Sequence, residues 1–345
     1  MPRSRRWLAN ARLRRCAGVL VILAVSVSRV LAQSPAAARG TVHTERMWSQ
    51  ALGVIKSVVV YLPPSYSAPT AAARRYPLAI YLHGVWGSET DWTIHGRLAE
   101  TMDSLVAAGM PEFIVVMPDG DDGWWTTWHG LNDVAACRRT PRQENADTYC
   151  VPWPKYDDYV ASDLIAFADA RLRTLPYRAS RAIAGLSMGG YGAMSIAARN
   201  PRVFAVAASH SGVLRPALFA DSGAVATGGA VVWRDGRTRE ELRTAAGGLW
   251  TTLEPSFGAD SIAWLSRDPA QLIATARRRG DSLPAMYVDI GVDDRFLTQD
   301  RSFRDRMSAM QAPLTYAEFS GRHDWAYWRQ RLPESLRFIA QHLVP

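Results

Sequence analysis

Gly185-Leu186-Ser187-Met188-Gly189-Gly190 follows a short apolar segment, Ala182-Ile183-Ala184, and leads into an apolar run from Tyr191 to Ala198. That succession reads as a strand, a tight turn with serine at its apex, and a buried helix. Glycines two residues before and two after the serine let neighbouring segments approach without a Cβ clash. A serine on such a turn is held in a strained conformation that lifts its Oγ into the open. The N–H groups that follow then lie at a helix N-terminus, where negative charge is favoured. A purely structural turn could carry the same glycines; whether a base and an acid follow downstream separates the two.

Both follow. A serine hydroxyl is a poor nucleophile until a histidine takes its proton and a carboxylate fixes that histidine's tautomer. Met286-Tyr287-Val288-Asp289-Ile290-Gly291-Val292-Asp293-Asp294 is an apolar strand that breaks at glycine and delivers two acids just past its end. The segment 314–319 is a further strand, running into Ser320-Gly321-Arg322-His323-Asp324-Trp325. A lone Asp pair is ordinarily a solvated turn and a lone His an ordinary surface residue. Serine, acid and histidine in that order, each at the carboxyl end of a strand, form the triad order of α/β-hydrolases.

Several further stretches resemble the esterase D family of α/β-hydrolases, the group of S-formylglutathione hydrolases, feruloyl and acetylxylan esterases, enterochelin-esterase-like proteins and mycolyltransferases. They are Ser49-Gln50-Ala51-Leu52-Gly53 with Val58 to Tyr66, Tyr76 to Gly84, Val115 to Gly120, Gly185 to Gly192, and Ser209-His210-Ser211-Gly212. The most family-specific is Gly321-Arg322-His323-Asp324-Trp325-Ala326-Tyr327-Trp328. The resemblance implies Ser187 as nucleophile, His323 as base and Asp294 as acid. Asp294 is preferred to Asp293 because it falls three residues after Gly291, where the family places it. The resemblance also implies an oxyanion hole made of the backbone N–H groups of Val85 and Met188. His83 is expected to shape that loop rather than serve as a second base.

The N-terminus carries Arg3, Arg5, Arg6, Arg12, Arg14 and Arg15, an apolar run over 16–27, and small residues through Ala32, with no acid before Glu45. This reads as a secretory signal peptide over residues 1–32, its core too short to span a membrane comfortably. Ser4-Arg5-Arg6 hints at twin-arginine export, and an organellar transit peptide is the alternative. The protein is thus expected to be secreted or periplasmic. With Arg29 the leader holds seven arginines, and removing them takes the formal charge from +8 to +1. The basic balance therefore gives no support to nucleic-acid binding.

Beyond the leader Cys137 and Cys150 are the remaining cysteines. An even pair in an oxidising compartment suggests one disulfide pinning a polar surface excursion. Neither has histidine in a metal-ligand spacing, and no metal or cofactor is expected.

Apolar runs alternating with helical patterns imply one α/β-hydrolase domain over 33–345, with a mostly parallel central sheet and helices on both faces. Strands are expected at 42–48, 55–62, 78–82, 113–117, 182–184, 203–208, 285–290 and 314–319, and helices at 95–108, 156–172, 189–199, 302–310 and 328–343. Insertions at 121–154 and 213–283 should shape specificity. Trp124, Trp125 and Tyr191 are candidate pocket walls for a sugar or phenolic group; the tryptophans could equally pack the insertions onto the body. The chain is expected to be a serine esterase acting through an acyl-enzyme on small acyl or aryl esters. An acyltransferase of the same fold and a catalytically idle binding module are the alternatives.

Overall fold

The apolar runs pair into an eight-stranded sheet in the order β1-β2-β4-β3-β5-β6-β9-β10. Its strands are β1 (Thr41–Ser49), β2 (Val54–Leu62), β3 (Leu78–Leu82), β4 (Ile114–Pro118), β5 (Arg181–Leu186), β6 (Val206–His210), β9 (Ala285–Gly291) and β10 (Leu314–Phe319). β1 with β2 and β2 with β4 run antiparallel, and all other neighbours are parallel. A separate two-stranded ribbon joins β7 (Leu218–Asp221) to β8 (Val232–Asp235) within the second insertion. The computed structural model describes residues 39–140, 145–221 and 232–345, which fall in one compact unit. The expected leader and short parts of both insertions lie outside the described residues.

Parallel strands covered on both faces read as continuous apolar runs, and β3 and β4 are buried throughout. Alternation along each strand divides those side chains between two layers. Val58, Val60, Ile80, Val116 and Ile183 face the helices Leu164–Arg171, Met188–Arg199 and Pro269–Arg278. Val59, Tyr61, Tyr81, Val115 and Ala182 face Leu98–Ala107 and Trp325–His342, through Met102, Leu332, Leu336 and Ile339. Each such aliphatic side chain contributes about 1.5–3 kcal/mol on burial. This is the α/β-hydrolase fold.

Several boundaries differ from the sequence expectation, among them the helix expected at 302–310, which begins at Leu297. The helix expected at 95–108 is broken by Gly96 and a left-handed Arg97 (φ 53°), leaving Asp91–Ile94 and Leu98–Ala107. The helix expected at 156–172 widens into a π turn over Tyr159–Asp163. The strand after the nucleophile helix starts at Val206 rather than residue 203, because Val203 N–H closes a turn onto Asn200 O at 2.9 Å. The C-terminal helix begins at Trp325, since Asp324 accepts the Tyr327 N–H as its N-cap at 2.9 Å.

β4 and β5 flank β3 on opposite sides, so the chain reverses its direction of travel across the sheet at β3. Open α/β sheets bind ligands at the carboxyl ends of strands where that reversal occurs. Here those ends are the loop after Leu82 and the turn at Ser187.

Candidate active site

Ser187 caps the helix Met188–Arg199 with φ 52° and ψ −117°. A non-glycine residue there carries about 1–3 kcal/mol of strain, and it persists because both flanks are fixed. Ser187 N–H donates to His210 O at 3.0 Å, and its carbonyl accepts from Tyr191 N–H at 3.0 Å. A Cβ on Gly185 would run into the Gly189 backbone, so the strand and the start of the helix close only with glycine there.

His323 Nε2 lies 3.0 Å from Ser187 Oγ, and His323 Nδ1 lies 2.8 Å from Asp294 Oδ2. Asp294 is buried, and its other oxygen accepts the Phe296 N–H at 2.9 Å. With Oδ2 accepting from Nδ1–H, Nε2 is left as the acceptor that faces the serine hydroxyl. Asp293 is exposed and points no carboxylate at the imidazole, so of the two acids it is Asp294 that His323 meets. The imidazole stands edge-on between the rings of Phe296 and Trp328, each with its centroid 4.9 Å away. Backbone bonds join the two loops: Val292 N–H to Phe319 O at 2.8 Å and Asp293 N–H to Gly321 O at 3.0 Å.

The loop after β3 passes beside the nucleophile, with a Cβ built on Gly84 falling 3.5 Å from Ser187 Cβ. Gly84, the residue before Val85, thus sits against Ser187, and Met188, as the first helical residue, has an N–H with no intrahelical acceptor. His83 bridges this loop to the one after β4. Its Nε2 accepts the Gly120 N–H at 3.0 Å, which leaves the proton on Nδ1 to donate to Gly84 O at 2.7 Å.

Beneath this loop sits a charge cluster that sequence reasoning missed. The Lys56 ammonium, on β2, contacts Asp119, lies 2.8 Å from Asp121 and donates to Thr148 O at 3.2 Å. All three charged residues are buried. Burial would lower the lysine, but the carboxylates of Asp121 and Asp119 outweigh it and hold it above its ordinary value. Burial alone would raise Asp119; the Lys56 ammonium reverses that and keeps it below the usual carboxylate range. Burial and its proximity to Asp119 push Asp121 up.

A second buried cluster brings together the same three residue types without repeating the relay, since His210 Nδ1 forms no hydrogen bond. His210 Nε2 lies 2.7 Å from Ser335 Oγ and Nδ1 lies 2.8 Å from Asp289 Oδ2, all three fully buried. Asp289 accepts hydroxyls from Tyr287 at 2.8 Å and Tyr327 at 3.0 Å. Burial and the Asp289 carboxylate push both phenols far up, so they stay protonated donors.

The pocket-wall expectation for Trp124, Trp125 and Tyr191 is corrected by their complete burial. Trp124 packs on Tyr191 and Phe257 and donates Nε1–H to Thr252 Oγ1 at 3.0 Å. Trp125 donates to His83 O at 3.2 Å and fills the space left by Gly120 and Gly192. Burial pushes the Tyr191 hydroxyl up to about 12, and it donates to Arg267 O at 3.0 Å. These rings fasten the insertions to the body, leaving no face for a ligand. Trp128 and Tyr149 instead line a cavity of about 170 Å³ with Asp121 and Asp122. Asp122 also accepts the Trp86 N–H at 2.6 Å, so this cavity adjoins the loop of Val85.

Cys137 and Cys150 form a disulfide with a Cα–Cα distance of 5.7 Å. Among the described residues no group of His, Cys, Asp and Glu is arranged to hold a metal ion, and no helix is long and apolar enough to cross a membrane.

A family model described as "Putative esterase" matches residues 49–339. An endo-1,4-beta-xylanase/feruloyl esterase of Xylanibacter ruminicola is 30% identical over 171 residues, 48% of this chain and 20% of its own length. An esterase of Mycobacterium tuberculosis (strain H37Rv) is 30% identical over 293 residues, 81% of this chain and 54% of its own. The chain thus spans about half, or less, of the length of these curated relatives. Among solved structures a ferulic acid esterase is similar with a TM-score of 0.64 and 23% identity, covering 89% of this chain and 99% of that one, a likeness of fold.

Proposed function

The chain belongs to the esterase family whose model spans residues 49–339, and on that premise we propose that it is a serine carboxylic-ester hydrolase acting through an acyl-enzyme on small acyl or aryl esters. The observation that carries the reading is the relay from Ser187 Oγ to His323 Nε2 at 3.0 Å and from His323 Nδ1 to Asp294 at 2.8 Å. Ser187 Oγ attacks the ester carbonyl while His323 Nε2 takes its proton, and Asp294 stabilises the imidazolium. The tetrahedral oxyanion turns toward the N–H groups of Val85 and Met188, each such donor contributing about 2.7–4 kcal/mol to the barrier reduction. The imidazolium then gives its proton to the departing alcohol. Water, activated by the same His323, attacks the acyl-Ser187 carbonyl and releases the acid.

We further propose export out of the cytosol. The Arg-rich leader over 1–32 and the Cys137–Cys150 disulfide support it, since disulfides persist in oxidising compartments.

Hydrolysis of p-nitrophenyl acetate by wild type and by Ser187→Ala tests the chemistry, with intact-mass spectrometry seeking an acyl adduct at Ser187. Equal rates for the two proteins would sink the proposal. For export, N-terminal sequencing of the protein recovered outside the cytosol should start near residue 33; a retained leader would argue otherwise.

A further inference from the structure

We propose that Lys56 is a positioning residue for the oxyanion loop, acting through the segment Asp119–Asp122. The inference rests on the esterase reading and goes beyond it, because neither Lys56 nor those acids touches the reacting atoms. A lysine with a fully buried side chain is expensive unless paired, and this one is paired twice, with Asp119 and with Asp121. Its partners follow directly after β4 and bracket the loop that begins at His83. Gly120, between the two acids, donates its N–H to His83 Nε2 at 3.0 Å. His83 Nδ1–H in turn holds Gly84 O at 2.7 Å, one residue before Val85. Asp122 accepts the N–H of Trp86, one residue after Val85, at 2.6 Å. Val85 is therefore flanked by two backbone groups, Gly84 O and Trp86 N–H, held through the His83 ring and the Asp122 carboxylate, both of which lead back to one four-residue segment that Lys56 fixes to the sheet.

The strain at this loop agrees. Trp86 is held at φ 62° and Asp121 at φ 49°, both left-handed without being glycine. Conformations of this kind persist only where the surroundings over-determine them. Without the ammonium, Asp119 and Asp121 lose the donor that fixes both, one of the two takes up a proton, and the segment is free to shift. Gly120 N–H would move with it, releasing His83 and then Val85. A donor displaced from the position of the developing oxyanion loses stabilisation in the transition state more than in the ground state. The expected signature is a fall in kcat with KM preserved.

The test is Lys56→Met assayed with p-nitrophenyl acetate, its fold checked by circular dichroism and thermal melting. We expect kcat to fall about 10- to 100-fold with KM within about twofold of wild type. A folded Lys56→Met with kcat within about twofold of wild type, or with its whole deficit in KM, would overturn the inference. Should Lys56→Met fail to fold, Tyr156→Phe is read in its place. It removes only the hydroxyl that donates to Asp121 at 2.5 Å. A lowered kcat at constant KM supports the role, and an unchanged kcat overturns it. Ser187→Ala is run alongside. Activity equal to wild type there would remove the esterase reading itself, whereas Ser187-dependent hydrolysis that the Lys56 and Tyr156 variants leave intact would overturn this inference alone.

Discussion

The hydroxyl of Tyr327 donates to Asp289 Oδ1 at 3.0 Å, joining the strand that delivers Asp294 to the helix that starts two residues after His323. The acid and base loops are thus tied together by a fully buried carboxylate as well as by their own hydrogen bond. Tyr327→Phe should lose about 1–3 kcal/mol of stability, because Asp289 is left short of a donor without access to water. Urea unfolding measures the loss. Hydrolysis should slow less than in Asp294→Asn, since the Asp294–His323 contact itself remains.

Asp294→Asn removes the carboxylate that fixes the tautomer of His323, and kcat should drop on the order of 10⁴-fold while the fold is kept. Asp293→Asn should leave kcat near the wild-type value, because its side chain is exposed. Steady-state rates for the pair check the assignment, and a reversed order would transfer the role to Asp293.

Asp300 is fully buried, and neither of its carboxylate oxygens has a hydrogen-bond partner. Burial first, then the carboxylates of Asp294 and Asp289, hold it well above the ordinary carboxylate range. It binds its proton more tightly folded than unfolded. Its contribution to stability is therefore complete below about pH 4 and declines as pH rises toward the elevated value. Asp300→Asn cannot ionise, so its stability relative to wild type should improve with pH, on the order of 1–3 kcal/mol in favour of the variant by about pH 8. Urea melts at about pH 5 and pH 8 measure this; a difference that does not change with pH would contradict it.

Trp124→Ala should destabilise the protein by about 3–5 kcal/mol, the cost of a cavity at a buried indole. KM for small esters should barely move. A stable variant with a raised KM would return Trp124 to the pocket wall.

Cys137→Ser with Cys150→Ser should cost about 3 kcal/mol, chiefly by freeing the loop they close in the unfolded chain. Thermal melts with and without reductant should show the same downward shift in the wild type on reduction. The double variant should not respond.

Much of this site is legible in the sequence because its chemistry depends on local turns. The glycines around Ser187, the break at Gly291 before Asp294 and the loop before His323 each signal a strand ending in a reactive side chain. What was illegible is long-range. Lys56 lies 65 residues from Asp121 and His210 lies 125 from Ser335, and no local pattern links them. Trp124 and Trp125 mislead for a related reason: an aromatic pair after a strand has the same composition whether it lines a cleft or plugs one. Only the tertiary neighbours, Phe257 and Tyr191 for the first and His83 for the second, settle which. The broken helix at Gly96 and Arg97 was foreshadowed by its glycine, whereas the π turn at Tyr159 had no sequence mark.

The cluster of His210, Asp289 and Ser335 holds the same three functional groups as the one at the crevice, yet it lies sealed in the interior. A covalent reagent that hunts for activated hydroxyls should therefore titrate with a stoichiometry of one per chain. Recognising a working constellation thus takes more than an inventory of side chains. Ser187, on the twisted turn at the carboxyl edge of the sheet, keeps slight exposure and can meet an ester, and its fully buried counterpart Ser335 cannot.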